Sequence, residues 1–239
     1  MNLNSIQFLA PGFEAKAREL GYGDKLISKQ LNKLVDFSQS EKNISPSVIE
    51  ETKNGNLISY DVYTRLLKDR IIFLGHHIMD EVTNIVIAQL LFLEMDNSKK
   101  DITIYLNSPG GSVVAGLALI NTMDYIEPDI SVVAIGMAAS MGAVILSCGT
   151  KGKRYALRDT RVMIHQPSTQ MGGKSDDIEV GYRELGKTKK RLYEILADKS
   201  GQTYDWVNDN SKLDYWMTAQ EAKEAGFIDE VLDKRPASK

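Results

Sequence analysis

Apolar and polar positions alternate along this chain with two distinct periods. Four short runs have the length and β-branched content of strands: Ile71-Ile72-Phe73-Leu74, Ile102-Thr103-Ile104-Tyr105-Leu106, residues 131–135, and Arg161-Val162-Met163-Ile164. Between them, residues 82–95 are apolar on most sides and predict a buried helix. Residues 112–125, and an apolar stretch from about Ser140, predict two more helices. This β-α-β-α order predicts an α/β domain with a mainly parallel sheet and crossover helices.

Further along, residues 176–199 predict a long helix with a single apolar stripe: Ile178, Tyr182, Leu185, Leu192 and Leu196. Gly181 and Gly186 weaken it by roughly 1 kcal/mol each relative to alanine. Such a stripe packs either on the domain's own core or on a second subunit, and the pattern does not choose. Thr218 and Glu221 form a capping box, Gly226 is a helix stop, and residues 227–232 predict a final strand. Upstream, Val48-Ile49, Asn54-Gly55 and Leu57-Ile58 suggest a β-hairpin, because both Asn-Gly positions tolerate positive φ; a loop fits the short flanks equally well. Residues 1–45 stand apart, with apolar stripes at Phe13, Ala17 and Leu20 and at Ile27, Leu31, Leu34 and Val35, then a polar stretch. They read equally as a removable extension or as a helical cap, with the main domain spanning 46–239.

Charge narrows the function classes. Lys+Arg (29) and Asp+Glu (32) nearly cancel, and there is no run of five like charges, so neither nucleic acid nor a membrane surface is suggested as a partner. No stretch approaches the ~20 apolar residues of a membrane span. The first residues lack the pattern of a secretory signal, which makes the cytoplasm the default location. The one cysteine, Cys148, follows Val144-Ile145-Leu146-Ser147 and reads as a small buried hydrophobe.

Three weak signals for chemistry fall at predicted strand ends. In Ala138-Ala139-Ser140-Met141-Gly142, small residues flank a serine between a strand and a helix, the layout of a sharp turn that presents Oγ. A serine needs a base to take its proton. His76 and His77 are adjacent, point to opposite faces of an extended chain, and lack a metal-ligand cluster around them; they read as solvated or capping residues. His165 follows an apolar strand, at the edge of a parallel sheet where α/β sites form. Asn107-Ser108-Pro109-Gly110-Gly111-Ser112 ends another strand, and its glycines let backbone N–H groups approach a ligand or an oxyanion. It has neither P-loop nor dinucleotide-binding spacing. Each signal alone has a bland reading as packing or a turn; their coincidence carries the weight.

With these segments the chain resembles the ClpP proteolytic subunits of the ATP-dependent Clp proteases. The resemblance runs from about Val48 to the final strand. It rests on Tyr63-Thr64-Arg65-Leu66-Leu67-Lys68-Asp69-Arg70-Ile71-Ile72-Phe73-Leu74, Asn107-Ser108-Pro109-Gly110-Gly111, Gly136-Met137-Ala138-Ala139-Ser140-Met141-Gly142 and Met163-Ile164-His165-Gln166-Pro167. It implies a ClpP/crotonase-like fold of repeated β-β-α units with a handle helix at about 171–200. It also implies a serine endopeptidase with Ser140 as nucleophile, His165 as base and Asp214 as third member. Asp214 rests on the match of Asp214-Tyr215-Trp216-Met217-Thr218-Ala219 to the family pattern, since many carboxylates follow His165. The oxyanion would be held by Gly111 and Met141, and peptide substrate by Gly110, Ser112, Gly172 and Gly173.

The same resemblance implies two stacked seven-membered rings of this chain, with the hairpin lining an axial pore. AAA+ unfoldases such as ClpX or ClpA/ClpC would dock near Tyr105, Tyr125 and Leu232 and use the ATP; this chain itself would need no cofactor or metal. Residues 1–45 have the position of a cleaved propeptide but are long for one. One departure stands out: many family members carry an acidic residue and an arginine before the triad aspartate, paired between rings, where this chain has Lys212 and Leu213. Two other functions compete: a crotonase-like enzyme acting on acyl-CoA, which does not need the three residues together, and a non-catalytic ring subunit.

Overall fold

The computed structural model describes residues 46–51 and 54–233; the stripes and extension expected over 1–45 lie outside the described residues. Strands β1 (Ser47–Glu51) and β2 (Leu57–Asp61) pair antiparallel from Ser47↔Asp61 to Glu51↔Leu57. The hairpin expectation therefore holds, but the last register pair is Glu51↔Leu57, so the turn is longer than two residues, and Gly55 within it takes φ 78. The hairpin belongs to a compact unit ending at Val62; the chain from Tyr63 onward forms a second.

The second unit alternates strands and helices as the pattern predicts. After α1 (Val62–Lys68) come β3 (Ile71–Leu74), α2 (Asp80–Asp96), β4 (Ile102–Ser108) and α3 (Val113–Tyr125). Next are β5 (Ile130–Ala139), α4 (Met141–Ser147), β6 (Arg154–Leu157) and β7 (Arg161–Ile164). The chain closes with α5 (Ser175–Ser200), α6 (Tyr204–Asn210), β8 (Tyr215–Thr218), α7 (Ala219–Glu224) and β9 (Glu230–Leu232). Strands β3-β4-β5-β6-β9 run parallel in that spatial order. Strand β7 also pairs parallel with β5, and β8 antiparallel with β7.

Strand β5 serves two partners. Its first half, Val132–Ala134, pairs with β6, and its last three residues, Met137–Ala139, pair with β7. Gly136, at φ 75, lies between the two registers and supplies a backbone conformation that a side chain would disfavour. This switch carries β5 to a second strand pair, where the candidate site residues gather.

Leu90, Ile104, Leu106, Leu119, Val132 and Ile145 are buried between the helices and the sheet. Cys148 joins this core, and burial pushes its thiol up to about 12, so it is an inert hydrophobe as its setting predicts. His76 and His77 are exposed. Arg70, at φ 62, spreads its guanidinium over the carbonyls of Leu93, Asn97, Lys100 and Asp101 and the Asp96 carboxylate, closing the C-terminal end of α2.

The long helix divides its stripe. Leu192, Tyr193, Ile195 and Leu196 are buried against the core, whereas Ile178, Val180 and Tyr182 are exposed. Thr218 and Glu221 form the expected capping box of α7. The last strand is shorter than the pattern predicts: Gly226 turns the chain at φ 82, and Phe227 and Ile228 are buried ahead of β9. Strands β6 and β8 and helices α1 and α6 escape the sequence reading. Strand β6 opens on a buried arginine, β8 exposes Trp216, and α6 is seven residues of mostly polar side chains capped by Thr203.

Candidate active site

Only Ser140 separates β5 from α4. It holds φ 55 and ψ −122, a strained conformation for a residue with a Cβ. The strain is tolerated because neighbours are small and the turn is tied down. A Cβ on Gly110 would stand 2.6 Å from Ser140 Cβ and 2.7 Å from the Ala139 carbonyl oxygen. One on Gly142 would stand 3.1 Å from the Ser108 carbonyl oxygen. The Ser140 N–H donates to the Met163 carbonyl on β7 at 2.8 Å. The Ala and Gly residues that looked like ordinary packing in the sequence thus make room for a tight strand-to-helix turn.

His165 follows β7 directly, and Asp214 precedes β8 directly. Because these strands pair antiparallel with Ile164 opposite Tyr215, the two side chains emerge at the same end of the pair. His165 Nε2 lies 2.8 Å from Ser140 Oγ, and His165 Nδ1 lies 3.2 Å from Asp214 Oδ1. With Nδ1–H donating to the carboxylate, Nε2 is left to accept the serine proton. The imidazole is 29 % exposed and the carboxylate 59 %, so the outer member of the trio is well hydrated.

The Gly110-Gly111 segment is fixed beside this trio. The Ile78 N–H donates to the Gly110 carbonyl at 2.9 Å, and the Ser112 N–H donates to the Ile78 carbonyl at 2.7 Å. In that bridge the N–H of Gly111 faces away from Ile78. A Cβ on Gly111 would meet the Ile78 oxygen at 2.2 Å, so the bridge requires glycine. The N–H of Met141, first in α4, has no intrahelical acceptor. Ser112 caps α3, its Oγ accepting from the Ala115 N–H. Gly172 and Gly173 are exposed in the segment leading into α5, and do not line the pocket beside Ser140.

That pocket opens next to Ser140 and His165. Its apolar walls come from Val113, Met141, Val144, Ile164, Leu192 and Leu196. The α5 residues in it could not be told from core positions by spacing alone. Gln166 also went unread. Its N–H donates to the Ser211 carbonyl at 2.8 Å and its Nε2 to the Lys212 carbonyl at 3.1 Å, fastening the chain before Asp214 to the residue after His165. Its place next to His165 was the available signal, but only the register across the gap shows what it holds.

The model of one protein family, described as Clp protease, matches residues 53–235.

Proposed function

Because the chain belongs to the Clp protease family, we propose that it is a serine endopeptidase using Ser140, His165 and Asp214, and that it degrades unfolded polypeptides delivered by an ATP-driven partner. The observation that carries this reading is the 2.8 Å contact of Ser140 Oγ with His165 Nε2, beside a glycine-lined backbone edge. Ser140 attacks the peptide carbonyl while His165 accepts its proton. Asp214 holds the imidazole tautomer and stabilises the imidazolium. The N–H groups of Gly111 and Met141 receive the charge that develops on the carbonyl oxygen. His165 then protonates the leaving amine, and water, activated by the same imidazole, releases the acyl group.

The apolar walls beside Ser140 support a preference for an apolar residue on the acyl side of the cut, for which the pocket, about 20 Å³ in volume, must widen. Gly110, Ser112, Gly172 and Gly173 would meet the substrate backbone. Assembly into two stacked heptameric rings is supported by apolar surface that one chain leaves uncovered. Ile85, Phe92 and Met95 are exposed on α2, and Ile178 and Tyr182 on α5. Tyr125, 82 % exposed, supports docking of a Clp unfoldase near Tyr105, Tyr125 and Leu232, with ATP consumed by that partner. In place of an ionic ring contact, this chain offers Leu213, exposed beside Lys212, which pairs with Asp209 of its own chain. Residues 1–45 would be a propeptide-like extension and 46–239 the peptidase domain. Among the described residues no helix is long and apolar enough to cross a membrane, and a cytoplasmic site of action is part of this proposal.

A fluorophosphonate probe with peptide mapping tests the reading. Covalent label on Ser140 of the assembled particle is the expected result; peptide cleavage by a particle that leaves Ser140 unlabelled would overturn it. Gly110→Ala provides a second check. Its methyl would press on Ser140 Cβ at a backbone φ of 95, and an ångström of misplacement lowers the labelling rate about 100-fold.

A further inference from the structure

Two hydroxyls beside the site lack partners. Tyr193 on α5 is 1 % exposed and Ser211, between α6 and Asp214, 0 %. Neither Tyr193 Oη nor Ser211 Oγ makes a hydrogen bond. Buried hydroxyls are nearly always paired, because an unpaired one forfeits its bonds to water without replacement. The two groups are neighbours. Burial pushes the Tyr193 phenol up, and the Ser211 hydroxyl draws it part of the way back, although the pair stops short of hydrogen-bond geometry. Each is therefore the nearest remedy for the other.

Their placement links them to the site. The Tyr193 ring lines the pocket that contains Ser140 and His165, and meets Tyr204 of α6 edge-on at 5.9 Å. Ser211 precedes Asp214 by three residues. Its N–H donates to the Val207 carbonyl at 3.0 Å, and its own carbonyl accepts from Gln166. The backbone there is fastened on two sides, while the Asp214 carboxylate is 59 % exposed and its 3.2 Å contact with His165 is long for a charge-assisted bond.

Resting on the reading of Ser140, His165 and Asp214 as a catalytic trio, we propose that Tyr193 and Ser211 are a positioning latch. Closing to a hydrogen bond, directly or through one buried water, the two hydroxyls fix the Ser211 end of the segment leading to Asp214 against α5 and so hold the carboxylate on His165 Nδ1. Neither hydroxyl touches the reacting atoms; both act through Asp214.

The test compares Tyr193→Phe, Ser211→Ala and Ser211→Thr in the full assembled chain, on a fluorogenic peptide with an apolar residue before the cut. Phe keeps the pocket wall, so Tyr193→Phe is expected to lower kcat about tenfold with KM unchanged. Ser211→Ala should match it, the double variant should fall no further, and Ser211→Thr should restore most of the rate. On an Asp214→Asn background neither change should subtract anything more. Melting temperatures should change little, since each variant removes at most one neutral hydrogen bond, so that a loss of kcat is not a loss of fold. Wild-type kcat in both single variants, or an equal drop on the Asp214→Asn background, would overturn the latch. If Ser140→Ala retains full turnover, the catalytic reading fails and the latch with it. If Ser140→Ala is inactive while Tyr193→Phe and Ser211→Ala match wild type, the latch alone fails.

Discussion

Ser140→Ala in the assembled particle is expected to lower peptide turnover by about 10⁴-fold or more, equivalent to at least ~5 kcal/mol of transition-state stabilisation. The hydroxyl is the only atom removed, and the turn that holds it keeps its bond to the Met163 carbonyl. Stability should therefore stay within about 0.5 kcal/mol of wild type, the usual range for a change that breaks no packing. His165→Ala should cost about as much as Ser140→Ala, and the pair together little more, because members of one relay act as a unit. Asp214→Asn should cost no more than about 10⁴-fold, and less than Ser140→Ala, since the side chain is 59 % exposed and water can partly replace it. Ser140→Gly carries a further expectation. At φ 55 and ψ −122 glycine relieves the strain that serine bears, so the inactive variant should gain about 1 kcal/mol. Kinetics on a fluorogenic peptide and thermal unfolding of the same samples check each outcome. Turnover within tenfold of wild type for Ser140→Ala would remove the proposed mechanism.

Breaking the buried ion pair behind the site should give the largest loss of stability. The Arg154 side chain is 1 % exposed. Its Nε and Nη2 donate to the two oxygens of Asp229 at 2.9 and 2.7 Å, and its Nη1 donates to the Lys199 carbonyl at 2.7 Å. Asp229 also accepts the backbone N–H groups of Gly152 and Arg154. One guanidinium thus joins β6, the loop before β9 and the C-terminal end of α5. Arg154→Ala would leave the Asp229 carboxylate to the exposed Lys151 ammonium at 3.6 Å and two backbone N–H groups, and a helix end untied, at a cost of about 3 kcal/mol. For a chain of this size that lowers the melting temperature by roughly 10 °C. Arg154→Ala with Asp229→Ala should cost less than the sum of the two, because the second change removes the charge that the first had stranded.

Acid should probe the same pair. Burial pushes the Asp229 carboxyl up, but hydrogen bonds from the Arg154 side chain and backbone outweigh it and hold the group at about 2, against an ordinary 3.8. Because the folded value is the lower one, this stabilisation is fully present above about pH 4 and drains away as pH falls toward 2. It amounts to about 2 kcal/mol. Denaturant unfolding between pH 6 and pH 2 should show that loss in wild type and lack it in Asp229→Asn.

The fold was largely legible in the apolar periods. Strands β3 and β7 match the predicted runs residue for residue, and the helix bounds shift by one or two positions. Burial drives these elements, and burial is what a periodic pattern records. Strands β6 and β8 were hidden because their energetics are not periodic: a paired arginine inside one, an exposed tryptophan on the other. In the site, Ser140 and His165 could be nominated because small residues and a strand end leave local marks. Asp214 left none, being one carboxylate among many, and it entered only through the family resemblance. Gln166 was marked only by its place after His165, and Tyr193 and Ser211 left no mark, because what they face is set by tertiary packing.

From the residues alone came the alternating elements, the sharp turn at Ser140, the glycine edge at Gly110-Gly111 and the inertness of Cys148. All of these are local: they depend on which side chains are small, apolar or free to adopt positive φ. Folding alone decided that an imidazole would meet a hydroxyl 25 residues away and a carboxylate 49 residues away. That meeting depends on β5 changing partners at Gly136 and on β7 pairing antiparallel with β8. Strand order and register are properties of the whole sheet, set by many contacts between residues distant in the chain, and a one-dimensional pattern of polarity carries no record of them.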